Sequence, residues 1–519
     1  MNAAPFNLLR AFATVGGMTM LSRILGFVRD VLVAAVLGAG PVADAFFVAF
    51  KFPNLFRRLF AEGAFSLAFV PLFAGKLESR GRGAALHFAG NALGILAAAL
   101  VLFTGLGQLA MPWVMRAFAP GFLDAPATFD LAVLLTRITL PYLLFISLVS
   151  LMAGVLNALG RFWAAAATPV LLNICLIGAI LGLAPHMSSP AHALAWGVAG
   201  AGVVQFLWMA WHLARADASL RLPWPRFDAD ARKLLARCVP VAIGAGIYQV
   251  NLLVDTVIAS FLPSGSISYL FYADRVNQLP LGVIGVAVGT ALLPLMSRQL
   301  RAGEIQAALH SQNRALEVSF LFTLPSAAAL FVLAEPVIAT LFQRGAFGPE
   351  ETTATSAALG IYALGLPAYV LVKALAPGFY AREDTRTPMI AAGAALVVNL
   401  VLNLILMGPF LHVGIAMATV ASSWLNCALL AYWLARRGHL ALDKALKLRL
   451  PRMLLASLIM AGLLVLLDRL LPQAMGEAAQ AGRIAVLVVA GLLSYGIAAQ
   501  ALRAVRLQDL KRQIKGRAT

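Results

Sequence analysis

This sequence predicts an all-α polytopic membrane protein, and three of its properties carry that prediction. Of its 519 residues, 61% are hydrophobic and only 12% are charged, whereas soluble globular chains carry roughly 25% charged residues. Apolar runs of about 20 residues, long enough to cross a bilayer core of ~30 Å as a helix, recur along the whole chain. The Lys and Arg residues between these runs are concentrated in alternate loops, which predicts the side of the membrane on which each loop lies.

The apolar runs divide into about fourteen predicted spans. The first run is too long for a cleavable signal peptide and contains Arg23 and Arg29. The predicted spans are residues 12–40, 43–74, 86–109, 128–156, 164–184, 193–214, 234–261, 267–296, 315–333, 355–380, 388–407, 413–434, 451–471 and 483–504.

The loops indicate the orientation, because cytoplasmic loops of membrane proteins concentrate Lys and Arg. With both termini placed in the cytoplasm, the loops on that side carry nearly all of the basic loop residues. The net charge of +18 therefore fits membrane topology and an anionic inner leaflet rather than binding to nucleic acid. The basic residues left on the opposite side are Arg116, Arg344, Arg469 and Arg483.

A weak internal repeat predicts two related halves. The stretch FFVAFKFPNLFRRLF…FVPLF (46–73) resembles LFYADRVNQLPLGVI…LLPLM (270–296), at an offset of about 220 residues. Related halves with a site between them are typical of transporters. The predicted domains are two lobes of six spans each, residues 1–216 and 217–437, followed by the last two spans and a basic tail, residues 438–519.

Charged residues inside the spans point to function, because a charge at the centre of a membrane helix costs at least ~2.5–3.5 kcal/mol. Asp44, Lys51 and Arg58 are spaced by seven residues, which places each within about 20° of the last on one helical face. Glu62 follows Arg58 by four residues and extends that stripe. The cations within spans are Arg23, Arg29, Lys51, Arg57, Arg58, Arg137, Arg275 and Lys373, against the acids Asp30, Asp44, Glu62, Asp255 and Asp274.

Two interpretations of these charges stay open from the residues alone. Internal salt bridges explain part of the set, with Arg58–Glu62 and Arg29–Asp30 as the natural pairs. The cations outnumber the acids, however, and a positively charged cavity in a membrane protein invites an anionic ligand. Arginine suits phosphate, because its planar guanidinium donates two hydrogen bonds at once. We therefore predict a central cationic cavity that binds an anion.

A second candidate site would bind a cation. Asp255 lies in mid-span without a basic neighbour in sequence, and Asn399 and Asn403 lie four residues apart on one helical face. Thr419 lies in the next span. Carboxylate, amide and hydroxyl oxygens are ligands of hard cations, so Na⁺ is the candidate. Hydrogen bonding between helices explains the asparagines equally well.

Signals for catalysis are weak. The sequence has no GxxxxGK[ST] nucleotide-binding loop and no HExxH metal motif, and its three cysteines show no CxxC spacing. Asp228 and Asp230 form a DxD that a membrane-embedded prenyl-phosphate enzyme would use, but aspartate is also common at helix starts. We predict that the chain is not an enzyme, has no catalytic residue, and needs no cofactor beyond an ion or the membrane potential.

One stretch is long and specific, namely MTMLSRILGFVRDVLVAAVLGAGPVADAFFVAFKFPNLFRRLFAEGAFSLAFVPLF (18–73). Together with FYADRVNQLPLGVIGVAVGTALLPLMS (271–297) and REDTRTP (382–388), it resembles the MurJ (MviN) family of lipid II flippases, in the superfamily that includes the MATE drug antiporters. The resemblance implies a twelve-span core with two added helices. It also implies transport of lipid II, the undecaprenyl-diphosphate-linked peptidoglycan precursor, across the bacterial inner membrane. The partners that it implies besides lipid II are membrane lipids and the cell-wall synthesis machinery.

The resemblance also implies roles for individual residues. Asp44 would gate or support the headgroup cavity, and spans thirteen and fourteen would form a groove for the prenyl tail. Some members of the family bind sodium at positions matching Asp255, Asn399, Asn403 and Thr419, and some carry Asp where Asn403 stands. The residues that would line or brace the cavity are Arg23, Arg29, Asp30, Arg57, Arg58 and Arg275.

The alternative is an exporter of another substrate in the same superfamily, either a lipid-linked polysaccharide or a drug. A drug exporter should show acidic residues for cationic drugs, whereas the spans of this chain are net basic. That difference favours an anionic substrate.

Overall fold

The computed structural model describes residues 8–58, 65–220, 224–472 and 476–504, and every regular element in those ranges is a helix. The all-α fold class predicted from composition is therefore confirmed. The helices are α1 (Leu8–Leu37), α2 (Pro41–Phe56), α3 (Ser66–Phe118), α4 (Pro126–Thr139), α5 (Pro141–Ala158), α6 (Trp163–Gly178), α7 (Pro190–Ala214), α8 (Ala229–Ala259), α9 (Ser266–Arg301), α10 (Ile305–Val332), α11 (Ala334–Phe342), α12 (Pro349–Tyr380), α13 (Arg386–Arg436), α14 (Lys444–Leu470) and α15 (Glu477–Ala501).

Each predicted span overlaps a helix, although the correspondence is not one to one. Within the described ranges, ten helices are long and apolar enough to cross a membrane. Two of these, α3 and α13, are 53 and 51 residues long. α3 bends at Gly81, whose φ of 77° is a conformation that glycine adopts readily. α13 bends at Leu411, with φ 51° and ψ −132°. Each of these two helices therefore carries two predicted spans, or parts of them.

The first of two compact units comprises Met1–Ser268 with Arg344–Phe347. Within it α1 packs on α6, α2 on α4, α3 on α5, and both α5 and α6 pack on α7. Its fully buried side chains include Phe47, Phe69 and Tyr142. The short segment Arg344–Phe347 belongs here because its backbone reaches α1, where the Ala346 N–H donates to the Ala35 carbonyl at 2.8 Å.

The second unit comprises Tyr269–Gln343 with Gly348–Thr519. Here α12 packs on α10, α11 and α13, while α14 packs on α10 and α15. A cluster of Leu371, Leu375 and Phe379 from α12 with residues of α13 forms its core. The domain boundaries predicted after residues 216 and 437 come from the repeat and the topology, and they stay a prediction.

A network of salt bridges joins α14 to α10. Glu317, a buried carboxylate on α10, accepts a hydrogen bond from Arg449 of α14 at 2.5 Å and also pairs with Arg314. Arg314 pairs in turn with Asp443, whose side chain caps α14 by accepting from the Leu446 N–H at 2.7 Å. The attachment of the C-terminal helices therefore depends on charge pairing as well as on apolar packing.

The outer surface is rich in exposed apolar side chains, as lipid-facing helices require. Leu109, Leu207, Val283, Leu492 and Ile497 are all at least 60% exposed. A soluble protein rarely exposes contiguous apolar patches beyond a few hundred Å². This is a multi-pass membrane protein.

Candidate functional site

Arg29 lies on α1 with only 8% of its surface exposed, and its guanidinium is bonded on two sides. Its Nη2 and Nε donate to Oδ1 of Asp30 at 2.6 and 3.0 Å, and Nη1 donates to Asn173 of α6 at 2.9 Å. The predicted Arg29–Asp30 salt bridge is therefore present. Sequence reasoning missed Asn173, and the signal for it is a lone amide in the apolar run PVLLNICLIG.

Asp44, near the start of α2, caps the beginning of α9. Its side chain is deeply buried, and Oδ2 accepts from the Gly265 N–H at 2.6 Å. Oδ1 accepts from both the N–H and the hydroxyl of Ser268, at 2.8 and 2.5 Å. The N–H groups at a helix start carry partial positive charge and favour a carboxylate. Asp44 is therefore a helix cap in this structure, and the role at a headgroup cavity that the resemblance implies for it stays a prediction.

Of the charged stripe predicted in the second span, Asp44 and Lys51 lie on α2, whereas Arg58 follows its last residue, Phe56. Asp44 is buried and Arg58 is exposed, and their sharing of one face stays a prediction. Lys51 is half-buried and donates to the Thr256 hydroxyl of α8 at 3.3 Å. Arg57 is half-buried and donates from Nε to Asn54 at 3.2 Å, whereas Arg58 is exposed. Glu62 lies outside the described residues, so its predicted pairing with Arg58 stays a prediction.

Two more cations of the first unit have contrasting surroundings. Arg23 is exposed on α1. Arg137 of α4 exchanges hydrogen bonds with Gln108 of α3, donating from Nε to the Gln108 carbonyl at 3.0 Å. The Gln108 amide donates back to the Arg137 carbonyl at 2.7 Å. Arg137 therefore braces α3 against α4.

Among the charged residues that the sequence places inside spans, those of the first unit are mostly basic. Two of their carboxylates have defined hydrogen-bond partners, since Asp30 bonds Arg29 and Asp44 bonds the start of α9. Asp255 lies half-buried on α8. The described cations of this set are Arg23, Arg29, Lys51, Arg57, Arg58 and Arg137, against the acids Asp30, Asp44 and Asp255.

The residue predicted for the headgroup site in the second unit is Arg275, which is half-buried on α9. Its guanidinium carbon lies 4.6 Å from the centroid of the Phe271 ring, one helical turn earlier. The neighbouring Asp274 accepts a hydrogen bond from Gln278 at 3.1 Å. Because Arg275 belongs to the other unit, its predicted convergence with the cations of α2 stays a prediction.

The predicted cation ligands are divided in the same way between the two units. On α13, Asn399 and Asn403 are completely buried, and Asn403 donates to the Asn399 side-chain oxygen at 3.1 Å. The Thr419 hydroxyl donates to the Ile415 carbonyl at 3.0 Å. Amide and hydroxyl oxygens fit a hard ion such as Na⁺. Within the described ranges, no group of three or more His, Cys, Asp or Glu side chains is placed to hold a metal.

Both aspartates of the DxD sequence have structural contacts. Asp228 caps α8, accepting from the Ala231 N–H at 2.8 Å. Asp230 pairs with Lys76 of α3 at 2.6 Å. These contacts agree with the interpretation of the DxD as a helix start.

The REDTRTP motif caps the start of α13. Asp384 accepts hydrogen bonds from the Thr387 hydroxyl at 2.6 Å, the Thr387 N–H at 2.9 Å and Arg437 at 2.6 Å. These bonds lower the pKa of Asp384 to about 2, and the bond from the Thr387 side chain contributes most. The carboxylate therefore joins both ends of α13, because Arg437 directly follows its last residue.

We expect Asp384→Asn to lower the melting temperature at neutral pH. The folded-state pKa of about 2 lies below the ordinary aspartate value, which is about 3.9. The ionised form therefore stabilises the fold fully above pH ~4, and that stabilisation is lost as the pH falls towards ~2. Melting curves of purified protein should show a constant difference from wild type at pH 5–8 that shrinks below pH ~4. The exposed control Glu78→Gln should show no such difference, and a gap that widens in acid would contradict this account.

Comparison with known proteins identifies relatives across nearly the whole chain. A family model described as lipid II flippase MurJ matches residues 33–478. The chain is 46% identical over 520 aligned residues to a protein of Rhizobium meliloti (strain 1021) named "Probable lipid II flippase MurJ", covering 98% of this chain and 96% of that protein. It is 40% identical to the lipid II flippase MurJ of Burkholderia cenocepacia, covering 83% and 84% of the two chains.

Solved structures agree with that result. A lipid II flippase MurJ in an inward closed conformation matches with a TM-score of 0.80 at 27% identity, covering 96% of this chain and 99% of that one. An inward-facing multidrug resistance transporter of the MATE family matches with a TM-score of 0.69 at 15% identity, covering 82% and 98%. At that identity the second match shows a shared fold alone.

Proposed function

This chain belongs to the MurJ family of lipid II flippases, and from that membership we propose that it moves lipid II across the bacterial inner membrane. The substrate is undecaprenyl-diphosphate-MurNAc-pentapeptide-GlcNAc, and it passes from the cytoplasmic to the periplasmic leaflet by alternating access. Both termini lie in the cytoplasm. Enzymes of cell-wall synthesis supply and consume the substrate, and the chain itself catalyses no reaction.

The observation that best supports an anionic substrate is the surplus of cations in the spans of the first unit. Lys51 lies on α2, and Arg57 and Arg58 directly follow that helix, while the nearby Asp44 is bonded to the start of α9. A net positive charge in a low-dielectric region is stabilised by an anion. A diphosphate is such an anion, and it can take bidentate hydrogen bonds from arginine.

The prenyl tail needs an apolar path, which the C-terminal helices can supply. On α14 and α15, Leu458, Leu470, Leu492 and Ile497 are between 59% and 70% exposed. Lipid tails are as apolar as leucine side chains, so a prenyl tail can lie against this surface within the bilayer without exposing hydrocarbon to water. We propose that this surface carries the tail while the cationic residues hold the headgroup.

The direct test is a leaflet-accessibility assay for lipid II. In cells depleted of their own flippase, expression of this chain should restore lipid II that an external probe can reach. Cells with an empty vector should accumulate lipid II on the inside. If accessible lipid II stays at the depleted level while the chain is abundant in the membrane, the proposed function is wrong.

Arg275 provides a test of the headgroup site in the second unit. We expect Arg275→Ala to abolish growth of the depleted strain with the protein still inserted, because a lost charge-assisted hydrogen bond costs ~1.5–3 kcal/mol, or roughly ten- to a hundredfold in affinity. Growth at matched membrane abundance is the measurement. Arg301→Ala, at the exposed end of the same helix, should grow like wild type. If Arg275→Ala also grows like wild type, Arg275 does not bind the headgroup.

We further propose that a sodium ion couples to transport through Asp255 and the polar residues of α13. Asp255→Asn should weaken the stabilisation of the purified protein by sodium, because a ligand at free concentration c that binds only the folded state stabilises it by RT ln(1 + c/Kd). Lipid II binding should stay largely intact. Melting curves in sodium and potassium chloride measure this. If sodium never shifts the melting temperature of the wild type, the sodium site is wrong. The membrane potential, acting on the charged residues inside the spans, is then the better candidate for the energy source of transport.

A further inference from the structure

The beginning of α6 and the end of α7 form an aromatic and basic surface that the proposed transport site does not use. We call it the Trp211 surface. Trp208 joins the two helices, since its Nε1–H donates to the Ala164 carbonyl at 3.2 Å. Trp163 and Trp211 are 47% and 45% exposed beside it. The surface consists of Arg161, Trp163, Trp208, Trp211, His212 and Arg215.

Its guanidinium groups gather at the C-terminus of α7. The Arg215 guanidinium lies 3.9 Å from the centroid of the Trp211 ring, and Arg161 donates to the Arg215 carbonyl at 3.2 Å. Arg82 donates to the next carbonyl, that of Ala216. Helix-end carbonyls favour such cations. Within the described ranges, no ion pair joins these three arginines to a carboxylate. Their positive charge is therefore available to an anion from outside the chain.

An apolar stripe leads away from these arginines along α7. Val203, Leu207 and Trp211 are 40%, 60% and 45% exposed, and each is four residues from the next. Arg215 continues the series, so each side chain lies about 40° around the helix from the one before it, and the four form a stripe that winds gradually along α7. At 1.5 Å per residue the stripe is about 18 Å long, close to the ~15 Å thickness of one hydrocarbon leaflet.

We propose that the Trp211 surface binds one anionic phospholipid of the cytoplasmic leaflet. The lipid phosphate lies between Arg161 and Arg215, and an acyl chain follows the stripe towards Val203. Tryptophan rings favour the headgroup level of a bilayer, and guanidinium groups bind phosphate oxygens in pairs. The arginines alone would suit any phosphate, whereas the tryptophans and the stripe select a phosphate that carries a hydrocarbon chain.

The test is a titration of the purified full-length protein in detergent, followed by native mass spectrometry and by melting temperature. The ligands are phosphatidylglycerol, phosphatidylcholine with the same acyl chains, and inorganic phosphate. We expect wild type to bind phosphatidylglycerol at least roughly tenfold more tightly than phosphatidylcholine. Arg161→Gln/Arg215→Gln should lose roughly ten- to a hundredfold in affinity for phosphatidylglycerol, the effect of removing a charge-assisted hydrogen bond.

A matched control removes the same charge elsewhere. Arg298 and Arg301 are exposed near the end of α9, and Arg298→Gln/Arg301→Gln should bind phosphatidylglycerol like wild type. Arg161→Lys/Arg215→Lys keeps the charge and should lose less affinity than the glutamine pair. If the two double glutamine variants lost the same affinity for phosphatidylglycerol, binding would depend only on the net charge of the protein, and the proposal would be overturned. Equal stabilisation by inorganic phosphate, or equal binding of phosphatidylcholine, would also overturn it. Lipid II is absent throughout, so the outcome is independent of transport.

Discussion

Arg29→Ala should abolish transport and also lower the melting temperature. In the folded chain the Arg29 guanidinium holds Asp30 and Asn173 together, and both Arg29 and Asp30 are buried. Removing one partner of a buried ion pair costs ~3–5 kcal/mol, because the other charge is left uncompensated. Growth of a flippase-depleted strain at matched membrane abundance and melting curves of purified protein measure the two effects separately.

A double variant separates the structural role of Arg29 from a role in substrate binding. In Arg29→Ala/Asp30→Ala no buried carboxylate is left without its ion-pair partner. This double variant should therefore recover much of the decrease in melting temperature caused by Arg29→Ala. If Arg29 also contacts the diphosphate, the double variant still fails to transport lipid II. Arg29→Lys keeps the charge but lacks the planar fork that bonds two partners at once, so it should be clearly impaired. Transport by the double variant at the wild-type rate would show that Arg29 is purely structural.

Asp44→Ala should produce the second large effect. It would leave the Gly265 N–H and both donors of Ser268 without their carboxylate in a buried place. Hydrogen bonds to a charged group contribute about 1.5–3 kcal/mol each. The start of α9 would lose its cap, and we expect a strongly reduced melting temperature together with loss of growth in the depleted strain.

Graded variants make this prediction specific. Ser268→Ala removes one of the three donors and should lower the melting temperature less than Asp44→Ala. Asp44→Asn keeps one oxygen but places an amide donor against a backbone donor, so it should fall closer to Asp44→Ala. Asp130→Asn, at an exposed position on α4, is the control. A wild-type melting temperature for Asp44→Ala would contradict the capping role.

The helices were largely predictable because a membrane span is a long apolar run, and length and hydropathy are properties of the sequence itself. One feature was not: α11 has nine residues, too few for a span of its own. The breaks at Leu140 and Leu411 have local causes in the sequence, because Pro141 lacks a backbone N–H and Gly408-Pro409 precedes the second break. The second of these breaks lies between two of the predicted spans.

The charged residues of the candidate site could be named from the sequence, because a spacing of seven residues predicts that Asp44, Lys51 and Arg58 share one helical face. Their neutral partners could not. Asn173 and Thr256 lie more than a hundred residues from the side chains that they bond. Single asparagines and threonines are common in membrane helices, so only the packing of α1 on α6 and the approach of α8 to α2 distinguish these two.

The salt-bridge network between α10 and α14 has a consequence for any attempt to shorten this chain. Glu317 is buried on α10 and takes one of its two cations, Arg449, from α14. A truncation before Asp443 would leave that carboxylate with Arg314 alone, and Arg314 would itself lose Asp443. The last two helices, α14 and α15, are therefore not a detachable appendage, because their removal would leave unbalanced charge on the helix against which α14 packs.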